Sequence, residues 1–317
     1  MHGPPSRRRS SCCSPCVGSC RPLSANWRDP ASADHVVVLT QRLPRTIIGV
    51  LAGAALALAG TLMQGLTRNP LADPGLLGIN AGASVAVLMA ITLAGITKPA
   101  GFVWFAFAGA AVAAVLVAVI GSRGPDGSNP AKLALTGAAV TAGLTAVITL
   151  ILTTSIRAFD VYRYWQVGGL TARGLDSVAL VVAPLLVGGV IAFICARGLD
   201  LLALGDATAT ALGHNVARTR VLGITATVLL CGGATAIAGP IVFIGLVIPH
   251  LLRGILGGDY RDLLLVGAPA GAALLLAADV IGRVIAPPGE VQAGLVVAFL
   301  GAPMLIWLVL RRRRVVL

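Results

Sequence analysis

Charged side chains are scarce in this sequence. They make up 11% of the 317 residues, where a soluble domain carries about 25%. There is one glutamate, Glu290, and there are two lysines, Lys98 and Lys132. A single glutamate excludes both an HExxH zinc site and a glutamate pair for acid–base catalysis. Neither lysine follows a GxxxxGK loop, so the chain cannot hold ATP by a Walker motif. No serine sits in a GxSxG elbow and the four histidines are scattered, so no catalytic constellation is visible. Aromatic residues are few as well, at 4%. What fills the chain is Ala, Val, Leu and 39 glycines, with 57% of residues hydrophobic and a mean hydropathy of +0.91. Small residues let membrane helices approach closely. The composition is that of an all-α, polytopic membrane bundle. The net charge of +12 does not point to nucleic acid, because the basic residues punctuate apolar stretches instead of gathering on one solvated face.

Charge-free runs occupy residues 46–66, 74–97, 99–122, 133–156 and 177–196. Each has the length, about 20 residues, that crosses a hydrocarbon core of about 30 Å as a helix. Asp73-Pro74 and Asn129-Pro130 each offer an N-cap followed by proline at the first helical position. Residues 221–252 stay uncharged for 32 residues, and Gly239-Pro240 divides them into spans over 221–238 and 241–257. Spans over 263–286 and 293–310 bring the expected number to nine. With the C-terminal arginines 311–314 inside, the inner connections and tail hold twelve basic residues and the outer ones five (Lys98, Arg157, Arg163, Arg173 and Arg283). That bias favours this orientation; a re-entrant short helix after Gly239 would flip it. Asp279 is the only acid well inside an apolar segment. Arg283 follows one turn later, so a self-neutralising pair on one helix face is favoured over a proton relay.

The opening 38 residues differ from the rest. They carry Arg7, Arg8 and Arg9, then Cys12, Cys13, Cys16 and Cys20 among Ser and Pro. No apolar stretch of about 7–15 residues follows the arginines, as a secretory signal requires. A lone CxxC supplies half of a four-ligand zinc site, so no metal is expected. The segment reads as a disordered tail or a start placed too early. Cys195 and Cys231 sit singly in apolar spans as small core residues.

Three stretches make the sequence recognisable: RLPRTIIGVLAGAALALAGTLMQGLTRNPLADPGLLGINAG at 42–82, GPIVFIGLVIPHLLR at 239–253, and ADVIGRVIAPPGEVQAGLVVAFLGAP at 278–303. In register over 39–317 they resemble the FecCD family, the type II permease subunits of ATP-binding-cassette importers for iron–siderophores, haem and cobalamin. The resemblance implies ten spans with both termini in the cytoplasm. Nine are visible here, and the polar tail stands where the first should end, so a misassigned or frameshifted start is expected. It also implies a cytoplasmic (inner) membrane location, a second permease copy, two ATPase subunits that bind ATP and Mg, and an extracytoplasmic substrate-binding protein. The permease itself would bind no cofactor. An ATPase-independent transporter and an intramembrane enzyme are the rival readings; the second lacks any visible nucleophile.

Site expectations follow. Leu201, Leu204, Gly205, Asp206, Leu212 and Gly213 lie in an inner segment too polar to cross. Its plain reading is an amphipathic helix resting on lipid; the resemblance makes it the helix that couples to the ATPase. Ala207 and Thr210 stand where the family often has an acid and an arginine. Arg42, Arg45 and Arg283 lie at the outer rim, where arginines can snorkel to phosphates. In the family, matching arginines receive carboxylates from the binding protein, and Glu290 matches a PxE motif in which Gln292 replaces a frequent proline. Gln64 and Asn80 are polar groups near inner span ends, candidates for the translocation path or for helix–helix hydrogen bonds. Gly49 and Gly53, like Gly78 and Gly82, read as small-xxx-small packing pairs. Trp165, in YRYWQVGG, reads as an interfacial anchor.

Overall fold

The computed structural model describes residues 37–96, 99–123, 130–171, 174–287 and 289–313. The polar opening up to residue 36, Lys98, Arg173 and the Asn129 cap lie outside the described residues. All regular structure among the described residues is helical. A π-turn (Val38–Arg42) leads into α1 (Leu43–Thr67), and a 3-10 turn (Pro74–Leu77) precedes α2 (Ile79–Ala94). There follow α3 (Pro99–Ser122), α4 (Pro130–Thr154), α5 (Ile156–Gln166), α6 (Leu175–Ala203) and α7 (Asp206–Ala211). The chain ends with α8 (Val216–Ala238), α9 (Ile244–Leu256), α10 (Tyr260–Ile285) and α11 (Ala293–Arg313).

Nine of these helices fall on the nine expected segments. Six are long and apolar enough to cross a membrane, while α2, α9 and the apolar part of α11 are shorter. The 74–97 run is not one helix, because Gly78 adopts φ 69° and separates the 3-10 turn from α2. Gly78 is therefore a turn residue and not half of a packing pair; a side chain there would cost left-handed strain, not a clash. Asp73 does cap, its Oδ1 accepting from Gly75 N–H at 2.8 Å. Burial pushes that carboxyl up from its ordinary range, and the Gly75 bond pulls it back down. The 133–156 run stops at Thr154, since Ser155 turns out and caps a new helix, accepting from Ala158 N–H. That helix, α5, buries Tyr162 and Trp165 one turn apart while Tyr164 stays exposed. Trp165 is thus not an interfacial anchor; Arg163 and Tyr164, stacked at 4.9 Å, occupy the outward face instead.

The bundle is organised around α1. Within its most apolar stretch 72% of residues are buried, against 11% for α4. Its neighbours are α10, α8, α9 and α6. Glycines set how near they come. A methyl on Gly53 would meet Gly271 O at 2.4 Å, and one on Gly271 would meet Gly53 O at 2.3 Å. A methyl on Gly60 would meet Gly245 O at 1.9 Å. Gly82 on α2 and Gly109 on α3 face each other in the same way. In lipid the hydrophobic effect does not favour one helix surface over another, so this close backbone packing carries the association.

Gly53→Ala should therefore lower the stability of the detergent-solubilised protein by about 1–3 kcal/mol, the usual cost of overpacking. Gly143→Ala on α4, where nothing lies within 4 Å, should not lower it, since Ala is the better helix former. Thermal unfolding followed by size-exclusion chromatography checks both.

Candidate functional site

One end of the bundle, outer in the expected orientation, gathers the arginines and Glu290. A cleft of about 650 Å³ is lined by Arg42, Arg45, Arg283 and Glu290, with Leu170 and Thr171 opposite. Arg45 enters from the first turn of α1, and Asp279 and Arg283 from the outer end of α10. The loop after α10 folds back over Gly282, whose O accepts from Val291 N–H at 3.0 Å, and this brings Glu290 beneath the cleft. Arg45 Nε donates to Asp279 Oδ1 and Oδ2 at 3.0 and 2.9 Å. Its Nη2 donates to Oδ1 at 2.8 Å, and its Nη1 to Glu290 Oε2 at 2.8 Å.

The expected Asp279–Arg283 pair is present at 3.2 Å, but it is the secondary contact. Asp279 is 3% exposed, and its main partner comes from α1, 234 residues away in sequence. The sequence signal for that partner existed: a lone acid inside a span needs a cation aimed at it. Arg42 stands at the exposed edge of the cleft and makes no ion pair among the described residues.

The inner face carries a second constellation. Leu201 ends α6, half-buried, and does not belong to the short helix. Gly205 at φ 103° and Gly213 at φ 79° bracket α7. Leu204 and Leu212 at its two ends are both 62% exposed, while Ala209 is fully buried beneath. Asp206 faces inward: it accepts from Arg220 Nη2 at 2.7 Å and lies 3.3 Å from Arg68 Nη2. Asp206 is thus a clamp between α7, α8 and the end of α1, and the leucines are what the segment presents. His214 Nε2 and Thr219 Oγ1, 2.7 Å apart, secure the following turn.

Gln64 and Asn80 are helix ties. Gln64 is 1% exposed, and its Nε2 donates to Gly245 O and Leu246 O, both at 3.3 Å. Pro249 lies inside α9 and has no N–H for the carbonyl four residues before it. That carbonyl belongs to Gly245, so Gln64 supplies the donor that Pro249 cannot. Gln64 Oε1 in turn accepts from Arg253, whose guanidinium lies over the Tyr260 ring. Asn80 is half-buried and its Oδ1 accepts from Thr235 Oγ1 at 3.0 Å, joining α2 to α8. Of the two expectations for Gln64, the helix–helix hydrogen bond is the one this geometry matches.

Six helices long and apolar enough to cross a membrane, packed glycine to glycine, define a multi-pass membrane bundle. The family model for the FecCD transport family matches residues 15–311, and the chain belongs to that family. It is 51% identical over 286 residues to the ferric enterobactin permease FepD of Escherichia coli K12, covering 89% of this chain and 84% of that protein. The hemin permease HmuU of Yersinia pestis is 38% identical, with 87% and 83% covered. Among solved structures, an inward-facing metal-chelate type ABC transporter superposes with a TM-score of 0.80 at 27% identity, covering 88% of each chain.

Gln64→Leu should leave the Gly245 carbonyl without a donor and loosen α9 from α1. The expected loss is about 1–3 kcal/mol of stability. Faster amide exchange confined to residues 244–256 is the measurement that checks it.

Proposed function

We propose that this chain forms half of the pore of an ATP-binding-cassette importer in the cytoplasmic membrane, carrying a ferric siderophore. A second permease copy completes the pore, a substrate-binding protein delivers the chelate to the outer cleft, and two ATPase subunits bind ATP and Mg at the inner face. The permease makes and breaks no covalent bond; nucleotide turnover alternates its access.

The observation that carries this reading is α7. Two exposed leucines flank a surface of small residues, Ala207, Thr208, Thr210 and Ala211, and Asp206 ties that surface to α8 through Arg220 and pairs with Arg68 at the end of α1. A lone amphipathic helix resting on lipid needs no ionic anchor to the bundle; a knob that transmits force does. The exposure of α4 supports a second copy, since Thr145, Thr149 and Thr153 lie along its open face and donate back to their own helix. The ferric-siderophore assignment follows the higher identity to an enterobactin permease than to a hemin permease. Haem or cobalamin uptake is the alternative within the same family.

Replacing Leu204 and Leu212 together by Glu should abolish co-purification of the ATPase subunits while membrane insertion stays normal. Undiminished association would remove the docking role from α7. Proteoliposomes of the whole complex should take up a ferric catecholate chelate in an ATP-dependent way; uptake of haem or cobalamin in its place would move the assignment to the alternative.

A further inference from the structure

The five ionisable groups at the outer cleft, Arg42, Arg45, Asp279, Arg283 and Glu290, are not equivalent, and the difference has a use. Arg45 offers five N–H bonds on a planar fork. Asp279 takes three contacts on the Nε and Nη2 side of that fork and is itself 3% exposed. It cannot leave without stranding a carboxylate inside the protein, held only by Arg283 at 3.2 Å. Glu290 makes a single bond, to Nη1, and is 39% exposed at the end of a loop. One carboxylate is fixed and the other is exchangeable.

We propose that Glu290 is an internal stand-in for a partner's carboxylate, and that the docking protein's acidic side chain displaces it at Arg45 Nη1. The inference rests on the reading that this cleft receives the substrate-binding protein. Asp279 is the positioning residue: it holds the Arg45 fork so that Nη1 points into the cleft. Arg42 and Arg283 stand on the same wall, ready to pair with the incoming acid or with its neighbours. When the partner leaves, Glu290 returns to Nη1. The exchange lowers affinity and speeds release, which suits a delivery protein that must dock and depart in each cycle. It also keeps the empty cleft from holding small anions.

The test uses the whole transporter in lipid nanodiscs and the substrate-binding protein encoded with it, with association and dissociation followed on an immobilised surface. Arg42→Glu and Arg283→Glu test the docking reading and should weaken binding strongly at low salt. Glu290→Gln and Glu290→Asp should tighten binding about two- to five-fold, the size of a half-exposed ion pair, chiefly through slower dissociation. Asp160→Asn is the charge control. Asp160 lies on α5, is paired with Arg163 and does not line the cleft, and its loss should change affinity less than two-fold. Equal tightening in Asp160→Asn and Glu290→Gln would reduce the effect to net charge and overturn the exchange. Weakened Arg42 and Arg283 variants together with an unchanged or weaker Glu290→Gln would overturn the exchange while leaving docking in place. Wild-type affinity in both arginine variants would overturn docking, and the exchange with it.

Discussion

The rest of this molecule depends on how closely α1 can approach its neighbours. Gly53 and Gly271 place two antiparallel helices backbone to backbone, and a single added methyl would strike a carbonyl. The contact also fixes register. Arg45 lies eight residues before Gly53 on α1, and Asp279 lies eight after Gly271 on α10. Because the helices run in opposite directions, equal offsets of eight, about 12 Å at 1.5 Å per residue, bring the two side chains to the same level. The ion pair at the outer mouth is thus a consequence of a glycine pair near mid-membrane. On another side of α1, Gly60 meets Gly245, and one turn further on Gln64 reaches the carbonyl that Pro249 leaves without a donor.

The polar groups inside the bundle follow one rule. Gln64, Asn80 and Asp279 are paired across a helix boundary, while Thr61 and Thr227 bond back to their own helix, since hydrocarbon offers no alternative partner. Gln64 joins α1 to α9, Asn80 joins α2 to α8, and Asp279 joins α10 to α1. Such ties add little net energy when made, yet a buried group left unpaired costs more than the bond contributes. They select one arrangement of helices among many that would pack almost as well.

Local signals accounted for much of what the sequence disclosed. Nine apolar segments, the Asp73 cap, the break at Gly239 and the packing role of Gly53 were legible because each depends on neighbours along the chain. Gly78 was misread because a glycine in small-xxx-small spacing looks the same whether it packs a helix or turns one. The burial of Trp165 was legible in principle from the Tyr162–Trp165 spacing of one helical turn, but a run of aromatic and basic residues at a span end resembles an interface belt. The role of Gln64 was out of reach. It requires knowing that α9 contains a proline and also that α9 lies against α1. Arg45 and Asp279 were each singled out, but only the folded register makes them partners. The function of Asp206 was hidden for the same reason: its clamps come from Arg68 and Arg220, in two other parts of the chain.

Both candidate sites hang on the same helix. Arg45 stands in the first turn of α1, and Arg68 closes its last turn in a left-handed conformation, from which it reaches Asp206 on α7. Between them lie 22 helical residues, about 35 Å of rod. Backbone contacts at Gly53 and Gly60 prevent α1 from sliding independently of α10 and α9. An element packed this tightly cannot absorb a displacement by local rearrangement, because interiors at crystal-like density transmit strain. Arg45 and Arg68 are therefore held at a fixed separation, and neither end of α1 can move lengthwise without α9 and α10. One buried helix thus positions both clusters, and its glycine contacts fix where each of them sits.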